Sequence, residues 1–160
     1  METKIKPLSE LSYNKYGLYQ NFIFPEGQSF DNMHFSFYRD LVTAPCGGST
    51  SFSVCLVKKR PLIVDVMEIH NHTYETILPL DGDILLQVIP ASQNGVIPAE
   101  KTEVFMVPKG TMVILRSGVW HHAPFAYNCD AANILIVLPE RTYANDCTVE
   151  ELDEPIRIID

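Results

Sequence analysis

Histidine and glutamate carry the chemistry that can be read from this chain. It holds five histidines, and four stand in two close groups, His70 with His72 and His121 with His122. The first group ends the run Asp65-Val66-Met67-Glu68-Ile69-His70-Asn71-His72. Residues two apart on a strand share a face, so Glu68, His70 and His72 are expected to project together while Met67, Ile69 and Asn71 face away. Three ionisable groups on one face, backed by apolar groups, do not describe a solvent-facing strand. Inside a barrel they would line an interior with ligands or proton-transfer groups. Glu75 follows three residues after His72. In the second group, Gly118-Val119-Trp120-His121-His122, neighbours on a strand oppose each other, so one histidine of the pair looks inward. Gly118 suits a tight turn that would deliver His121 to a cavity mouth. Imidazole and carboxylate together either move protons near neutral pH or hold a divalent metal.

Such groups need rigid elements to aim them, and from residue 33 onwards the chain reads as strands. Phe35 to Tyr38, Phe52 to Val57, Leu62 to His72, Thr76 to Leu80, Asp83 to Ile89, Glu103 to Val107, Thr111 to Leu115 and Ala132 to Leu138 alternate or are rich in β-formers. Asp81-Gly82, Asn94-Gly95 and Pro108-Lys109-Gly110 supply turn chemistry between them. The Asp-Gly pair between two apolar runs is the strongest hairpin signal. One short helix of about two turns is expected near the start, with Ser9 as its N-cap, Glu10 in its first turn and Gly17 as its stop. The tail from Pro139 to Asp160 carries seven acids against two bases and is expected to wrap the outside, with Ile156 to Ile159 as a last strand. Many short strands separated by Gly and Pro mean an all-β sandwich or barrel. Without a linker or an internal repeat, residues 1–160 read as a single domain.

Composition narrows the function. Hydrophobic residues make up 46% of the 160 and charged residues 20%, which favours a packed core over disorder. A chain of this length buries roughly 70% of its unfolded surface without help from disulfides or metal. The formal net charge is −8, from 20 acids and 12 bases, and the bases are scattered apart from Lys58-Lys59-Arg60. Nucleic acid and anionic membranes, both held by clustered cations, are therefore not the expected partners. Cys46, Cys55, Cys129 and Cys147 form neither a CxxC pair nor a disulfide framework, so they read as small buried hydrophobes in a reducing cytoplasm. Neither a signal-peptide pattern nor a membrane-length apolar run is visible.

The order of these groups resembles the two cupin motifs. Glu68-x-His70, then Glu75 with six residues before Gly82, then Gly118-x-x-His121 follow that pattern, with Glu68 at one histidine position and Arg116 where proline is usual. A narrower likeness spans nearly the whole chain. Pro7-Leu8-Ser9 followed by Tyr16-Gly17, then Glu68-Ile69-His70 and Leu78-Pro79-Leu80-Asp81-Gly82, resemble the ureidoglycolate lyase family. So do Gly118-Val119-Trp120-His121-His122-Ala123-Pro124-Phe125-Ala126 and Asn145-Asp146-Cys147-x-Val149-Glu150. Asn71, His72 and Glu75 depart from the family pattern, which has Pro after the Glu-x-His histidine and Gln at the position of Glu75.

The resemblance implies an all-β, cupin-like double-stranded β-helix, or jelly-roll, barrel with a short N-terminal helix. It also implies an enzyme that splits ureidoglycolate into urea and glyoxylate. Such a substrate needs a base for its hydroxyl proton and an acid for the departing urea nitrogen. Glu68, His70 and His121 are expected to line the pocket, with either histidine as base and Glu75 as acid or metal ligand. Arg116 and Lys58 are the candidate anchors for the substrate carboxylate. His122 and Trp120 are the remaining candidates beside the substrate, although a packing role suits Trp120 better. The lyase step has no redox requirement, so a bound ion would act as a Lewis acid. A divalent zinc, nickel, manganese or iron would be held by His70, His72, Glu75 and His121. Exposed edge strands favour a homodimer. Two alternatives stand beside this reading: a metal-dependent cupin acting on another small acid or sugar, and a binding cupin without chemistry.

Overall fold

The computed structural model describes residues 1–160 apart from Asn32 and Asn94. In chain order its elements are β1 (Glu2–Pro7), α1 (Glu10–Tyr13), β2 (Gly17–Asn21), β3 (Ser29–Asp31), β4 (Ser36–Tyr38) and β5 (Thr50–Lys58). Then come β6 (Ile63–Ile69), β7 (Glu75–Pro79), β8 (Asp83–Ile89), β9 (Glu103–Val107) and β10 (Thr111–Leu115). The chain ends with β11 (Trp120–His121), β12 (Phe125–Tyr127), β13 (Ala131–Pro139), α2 (Thr142–Asn145) and β14 (Thr148–Ile159). The expected all-β jelly-roll is what the chain forms.

Two sheets build it. One has seven strands in the order β11-β6-β14-β1-β9-β8-β12, and the other has five in the order β2-β10-β7-β13-β5. Period-two alternation drives their packing. Ile84, Leu86 and Val88 of β8 and Phe105 and Val107 of β9 face Val113 and Leu115 of β10, Ile77 of β7 and Ile134, Ile136 and Leu138 of β13, forming the core between the sheets. The opposite faces of β8 and β9 carry Leu85, Ile89 and Val104, which join Met67, Ile69, Trp120, Phe125, Ile156 and Ile158 in a second core. That second core exists because β11 pairs with both β6 and β8, so the seven-stranded sheet closes on itself through β14 and β1. A β-strand buried on both faces must be apolar on both, and Ile84-Leu85-Leu86-Gln87-Val88-Ile89 is nearly so.

Several expectations change here. The Asp81-Gly82 turn does not make a hairpin: β7 lies in the five-stranded sheet and β8 in the seven-stranded one, so the turn is a corner between sheets. Pro108-Lys109-Gly110 is a second such corner, between β9 and β10. The expected Asn94-Gly95 turn falls in part outside the described residues. The N-terminal helix is one turn, not two, with Ser9 accepting the Ser12 amide as its cap. Gly17 then opens β2, where a side chain would overlap the Ile114 carbonyl oxygen of β10. The first residues, to which the sequence reading assigns no element, form β1. The tail is more than a last four-residue strand, since β14 runs from Thr148 and lies between β6 and β1. No helix among the described residues is long and apolar enough to cross a membrane.

Candidate active site

Three strand ends converge on one mouth of the barrel. Glu68 sits near the end of β6, Glu75 opens β7, and His121 closes β11. The ladder between β11 and β6 sets His121 directly opposite Glu68, with Nε2 and Oε1 3.9 Å apart. His70 is one residue beyond β6, where the backbone leaves the sheet. It is fixed twice: its carbonyl accepts the Gly118 amide at 2.7 Å, and its Nδ1–H donates to the Asp146 carbonyl at 2.6 Å. Gly118 adopts φ +81°, the left-handed region open to glycine, and so turns the chain from β10 into β11 while its amide meets His70.

The central contact is a carboxylate between two imidazoles. Glu75 Oε2 lies 3.1 Å from His70 Nε2 and 2.8 Å from His121 Nε2, and all three residues are buried. His121 Nδ1 is 3.0 Å from the Val119 carbonyl. A carbonyl can only accept, so Nδ1 carries the hydrogen in both rings. Each Nε2 can then bond to Glu75 only if it is protonated as well. Burial alone would drive the Glu75 carboxyl upward, but the charge and hydrogen bond of His121, then those of His70, hold it well below the usual carboxylate range. For His121, burial opposes the charge, yet Glu75 and then Glu68 outweigh it and raise the ring above its ordinary value. His70 moves in the same direction: burial opposes protonation and the Glu75 hydrogen bond overcomes it.

These groups open onto a cavity of about 230 Å³. Glu68, Glu75, His121 and His122 form its polar side, and Ile77, Ile136 and Pro124 its apolar side, with Cys55 and Tyr143 beside them. Burial, then the nearby Glu75 and Glu68, pushes the Cys55 thiol up and the Tyr143 hydroxyl to about 12. The Cys147 thiol, 3.6 Å from Glu68 Oε2, rises to about 11, through burial and then Glu68. All three therefore hold their protons at neutral pH and are not poised as nucleophiles. A larger groove of about 550 Å³ lies by Met1, Val96 and Glu150 to Glu154. Its titratable side chains are all acidic and it has no histidine, the Met1 amino group being its one base, so the smaller cavity is the chemical one.

Of the residues expected from sequence, Glu68, His70, Glu75, His121 and His122 come together. Four others do not. His72 is 85% exposed because β6 ends at Ile69 and strand parity no longer applies; its ring turns to Asp146 Oδ1 at 3.2 Å. It stands apart from the candidate metal donors. Trp120 is buried in the second core, on the opposite face of β11 from His121, and its Nε1–H donates to Ser92. Arg116 donates to the Asn14 carbonyl at 2.7 Å and so straps the end of α1. Lys58 is exposed at the end of β5. His121 and His122 both line the cavity because β11 is only two residues long, so the alternation expected of a strand stops there. Burial lowers the His122 ring, keeping it neutral near pH 7.

Sequence reasoning missed other residues. Arg60, noted from the sequence only as part of the Lys58-Lys59-Arg60 cluster, lies 3.9 Å over the Phe125 ring and donates to the Ala123 carbonyl at the cavity rim. Gln87 donates to the His122 and Ala123 carbonyls and holds that rim in place. The Asp146 carboxylate accepts the Asn71 and His72 amides at 2.8 and 2.9 Å and the Thr73 hydroxyl at 3.0 Å, which ties down the loop between His70 and Glu75. Cys55 could have been found from the Ser51-Ser53-Cys55 alternation of β5. The Asp146 and Arg60 contacts span long sequence separations and have no local signal.

The donor set fits a divalent metal. Among the described residues, Glu68, His70 and His121 offer ligand atoms within 4.8 Å of one another. Both histidines give Nδ1–H to backbone carbonyls, the outer contact that orients a metal-binding imidazole.

A jelly-roll barrel with acid and base groups at one open end defines a cupin. The chain belongs to the ureidoglycolate lyase family, whose sequence model, described as ureidoglycolate lyase, matches residues 32–159. Two solved structures share the fold at low identity. A dTDP sugar isomerase from Desulfovibrio desulfuricans G20 is 13% identical, with TM-score 0.51 and 87% of each chain covered. A dTDP-4-dehydrorhamnose 3,5-epimerase from Elizabethkingia anophelis NUHP1 is 12% identical, with TM-score 0.50, covering 77% of this chain and 71% of that one. Peruvianin-I, a cysteine peptidase from Thevetia peruviana latex, is 14% identical with TM-score 0.47 over 64% of this chain. This chain spans about half, 56%, of the length of peruvianin-I. No curated protein matches the sequence.

Proposed function

We propose that this protein cleaves ureidoglycolate into glyoxylate and urea. The observation that carries the proposal is the Glu75 carboxylate held between His70 and His121 beside Glu68, at a small cavity in a chain of the ureidoglycolate lyase family. The cavity is smaller than the roughly 300–1,000 Å³ of sites for drug-sized ligands, which suits a substrate of few heavy atoms. The reaction moves one proton: the substrate hydroxyl loses it, the carbon–nitrogen bond breaks with its electrons on nitrogen, and the departing urea nitrogen gains it. The sequence suggests a histidine base. The hydrogen bonding favours the reverse assignment, with His121, proton-bearing at Nε2, as acid and Glu68 as the carboxylate that takes the hydroxyl proton. Glu75 keeps the imidazoles charged, and Ile77, Ile136 and Pro124 restrict water. Arg60 replaces Lys58 and Arg116 as the anchor for the substrate carboxylate, being the cation that reaches the rim.

Glu68, His70 and His121, with Glu75 beside them, would hold a divalent ion, which when bound supplies a Lewis acid for the two-carbon acid. That donor set also favours a second reading, a metal-dependent cupin acting on another small acid or sugar. One assay separates the two: release of glyoxylate and urea from racemic ureidoglycolate, with and without added divalent metal. Turnover is expected, with kcat lowered at least about 100-fold in His121→Asn. Folded protein that shows no turnover under either condition removes the lyase reading.

A further inference from the structure

The connection from β13 to β14 builds one wall of the site in a short stretch of chain. Its single turn of helix, α2, is fixed at both ends. The buried Thr142 hydroxyl donates to the Pro139 carbonyl at 2.8 Å, and the Asp146 amide donates to the Thr142 carbonyl at 2.8 Å. Beyond α2, the Asp146 carbonyl holds the His70 ring and the Cys147 thiol donates to Glu68. Between these anchors Tyr143 stands at the cavity mouth. It is part of the cavity lining, and its ring meets His70 edge to face, with centroids 6.4 Å apart and planes at 82°. It is nevertheless 60% exposed, and its hydroxyl makes no hydrogen bond among the described residues. A side chain with so much of its area in water adds little to the core. What its position offers is a hydroxyl group, held by a rigid segment, at the entrance to the site.

The mouth has two sides. His70 and His121 flank Glu75, with ring centroids 5.2 Å apart. Tyr143 stands on the His70 side. His122 and Ala123 follow His121, and the Ala123 carbonyl holds the Arg60 guanidinium on that other side. A two-carbon acid bearing a ureido group measures roughly 5 Å from its carboxylate to its ureido carbonyl, which matches this spacing. We propose, resting on the lyase reading, that Tyr143 binds the ureido end of the substrate, its hydroxyl donating to the ureido carbonyl oxygen while Arg60 holds the carboxylate. A tyrosine hydroxyl is a donor at neutral pH. The reverse docking would set the carboxylate beside Tyr143, where no lysine or arginine lines the cavity among the described residues and Glu68 and Glu75 form its floor. A neutral acceptor suits that side. As the carbon–nitrogen bond breaks, its electrons pass to nitrogen and are shared with the carbonyl oxygen, so a donor placed there binds more strongly along the reaction. The ligand class is an acid that carries a ureido or amide carbonyl; a simple hydroxy acid lacks the second contact.

N-carbamoylglycine keeps both ends of ureidoglycolate but lacks the reacting hydroxyl, so it reads binding apart from turnover. Calorimetric titration of the full chain should give a dissociation constant on the order of 1 mM, with glycolate, which has no ureido group, binding more weakly. Tyr143→Phe should weaken N-carbamoylglycine about fivefold, leave glycolate within about twofold, and lower kcat for ureidoglycolate about tenfold. Its melting temperature should stay within about 2 °C of wild type, because the hydroxyl lost is exposed and unpaired; that separates a lost contact from a damaged fold. Tyr143→Leu, which removes the ring as well, should bind N-carbamoylglycine no better than Tyr143→Phe. Equal binding of N-carbamoylglycine by wild type and Tyr143→Phe overturns the proposal and leaves the lyase reading standing if ureidoglycolate is still turned over. So does a wild type that binds N-carbamoylglycine no better than glycolate. A wild type without turnover that still binds N-carbamoylglycine through the Tyr143 hydroxyl removes the lyase reading and supports the recognition of ureido acids.

Discussion

Gly118→Ala is the substitution that probes the coupling between the two histidine segments. At φ +81° a residue with a Cβ pays for the left-handed conformation, about 1–2 kcal/mol. The added Cβ would also stand 3.3 Å from the Ala91 Cβ, a contact tight by a few tenths of an ångström. If the backbone resists, the variant loses the conformational free energy and little else. Its melting temperature then falls by about 2–8 °C for a chain of this size. If the backbone relaxes, the Gly118 amide moves away from the His70 carbonyl, now 2.7 Å distant, and His121 shifts relative to Glu75. A displacement of 1 Å at reacting groups can lower the rate by roughly 100-fold. The expected result therefore combines a modest loss of stability with a fall in kcat of at least about tenfold, read by thermal melting and by glyoxylate release. The double variant Ala91→Gly with Gly118→Ala removes the methyl contact but not the φ requirement, so it should recover only a small part of either loss. Full recovery would show that crowding against Ala91, and not backbone conformation, is what Gly118 avoids. Unchanged kcat and melting in the single variant would refute the coupling itself.

Other outcomes follow from the same geometry. Arg60→Ala should raise KM for ureidoglycolate about tenfold or more with kcat within about threefold, the signature of lost uniform binding; an unchanged KM excludes Arg60 as the anchor. Asp146→Ala removes three contacts at 2.8–3.0 Å to the loop between His70 and Glu75 and should lower stability by about 2–4 kcal/mol, with Asp146→Asn intermediate, as measured by urea unfolding. The Glu103 carboxyl is held down to about 2: burial opposes this, and hydrogen bonds from Lys15, Lys6 and Tyr16 overcome it. Its stabilisation is present above the ordinary value of 4.5 and lost as pH falls through about 2. Glu103→Gln should thus cost about 1 kcal/mol at pH 7, screening included, and the gap from wild type should close as urea melts are taken from about pH 5 towards pH 2. A gap independent of pH would exclude the charge as its cause.

The strands of the inter-sheet core were legible nearly to the residue, and the reason is burial. Glu103–Val107, Thr111–Leu115 and Asp83–Ile89 are written in β-branched and aromatic residues because both of their surroundings are apolar. β1 was not legible, since Glu2-Thr3-Lys4-Ile5-Lys6 alternates with charges and buries little; β9 and β14 recruit it from both sides. The Asp81-Gly82 pair shows a different limit. Turn chemistry encodes a reversal of the chain, but not whether the two strands pair. Here β7 and β8 part into different sheets because each has better partners, β13 and β10 for the one and β9 for the other.

At the site, residue type was legible and direction was not. Glu68 points into the cavity and Met67 into the second core, on the opposite face, as alternation requires, because both lie within β6. His72 obeys no such rule: β6 stops at Ile69, and the Asp146 carboxylate collects Asn71, His72 and Thr73. That capture depends on a residue more than 70 positions away, and it decides which histidine meets Glu75. With His72 drawn outward and His70 tethered through Nδ1, the His70 Nε2 faces Glu75 opposite His121. The carboxylate that departs from the family pattern thus takes both rings as partners. The site's charge balance then rests on two imidazoles and two acids in one enclosure, an arrangement no single segment encodes. It also places the burden of selectivity on the rim, where Arg60 packs on Phe125 and Gln87 holds His122 and Ala123 by their carbonyls. On the proposed reading, a substrate carboxylate entering there would meet the Arg60 guanidinium, held on the Ala123 carbonyl and over Phe125, before Glu68 and Glu75. If Arg60 anchors the substrate as proposed, an anion that does not engage it would face two negative side chains, so the rim, more than the cavity floor, would decide which acids enter.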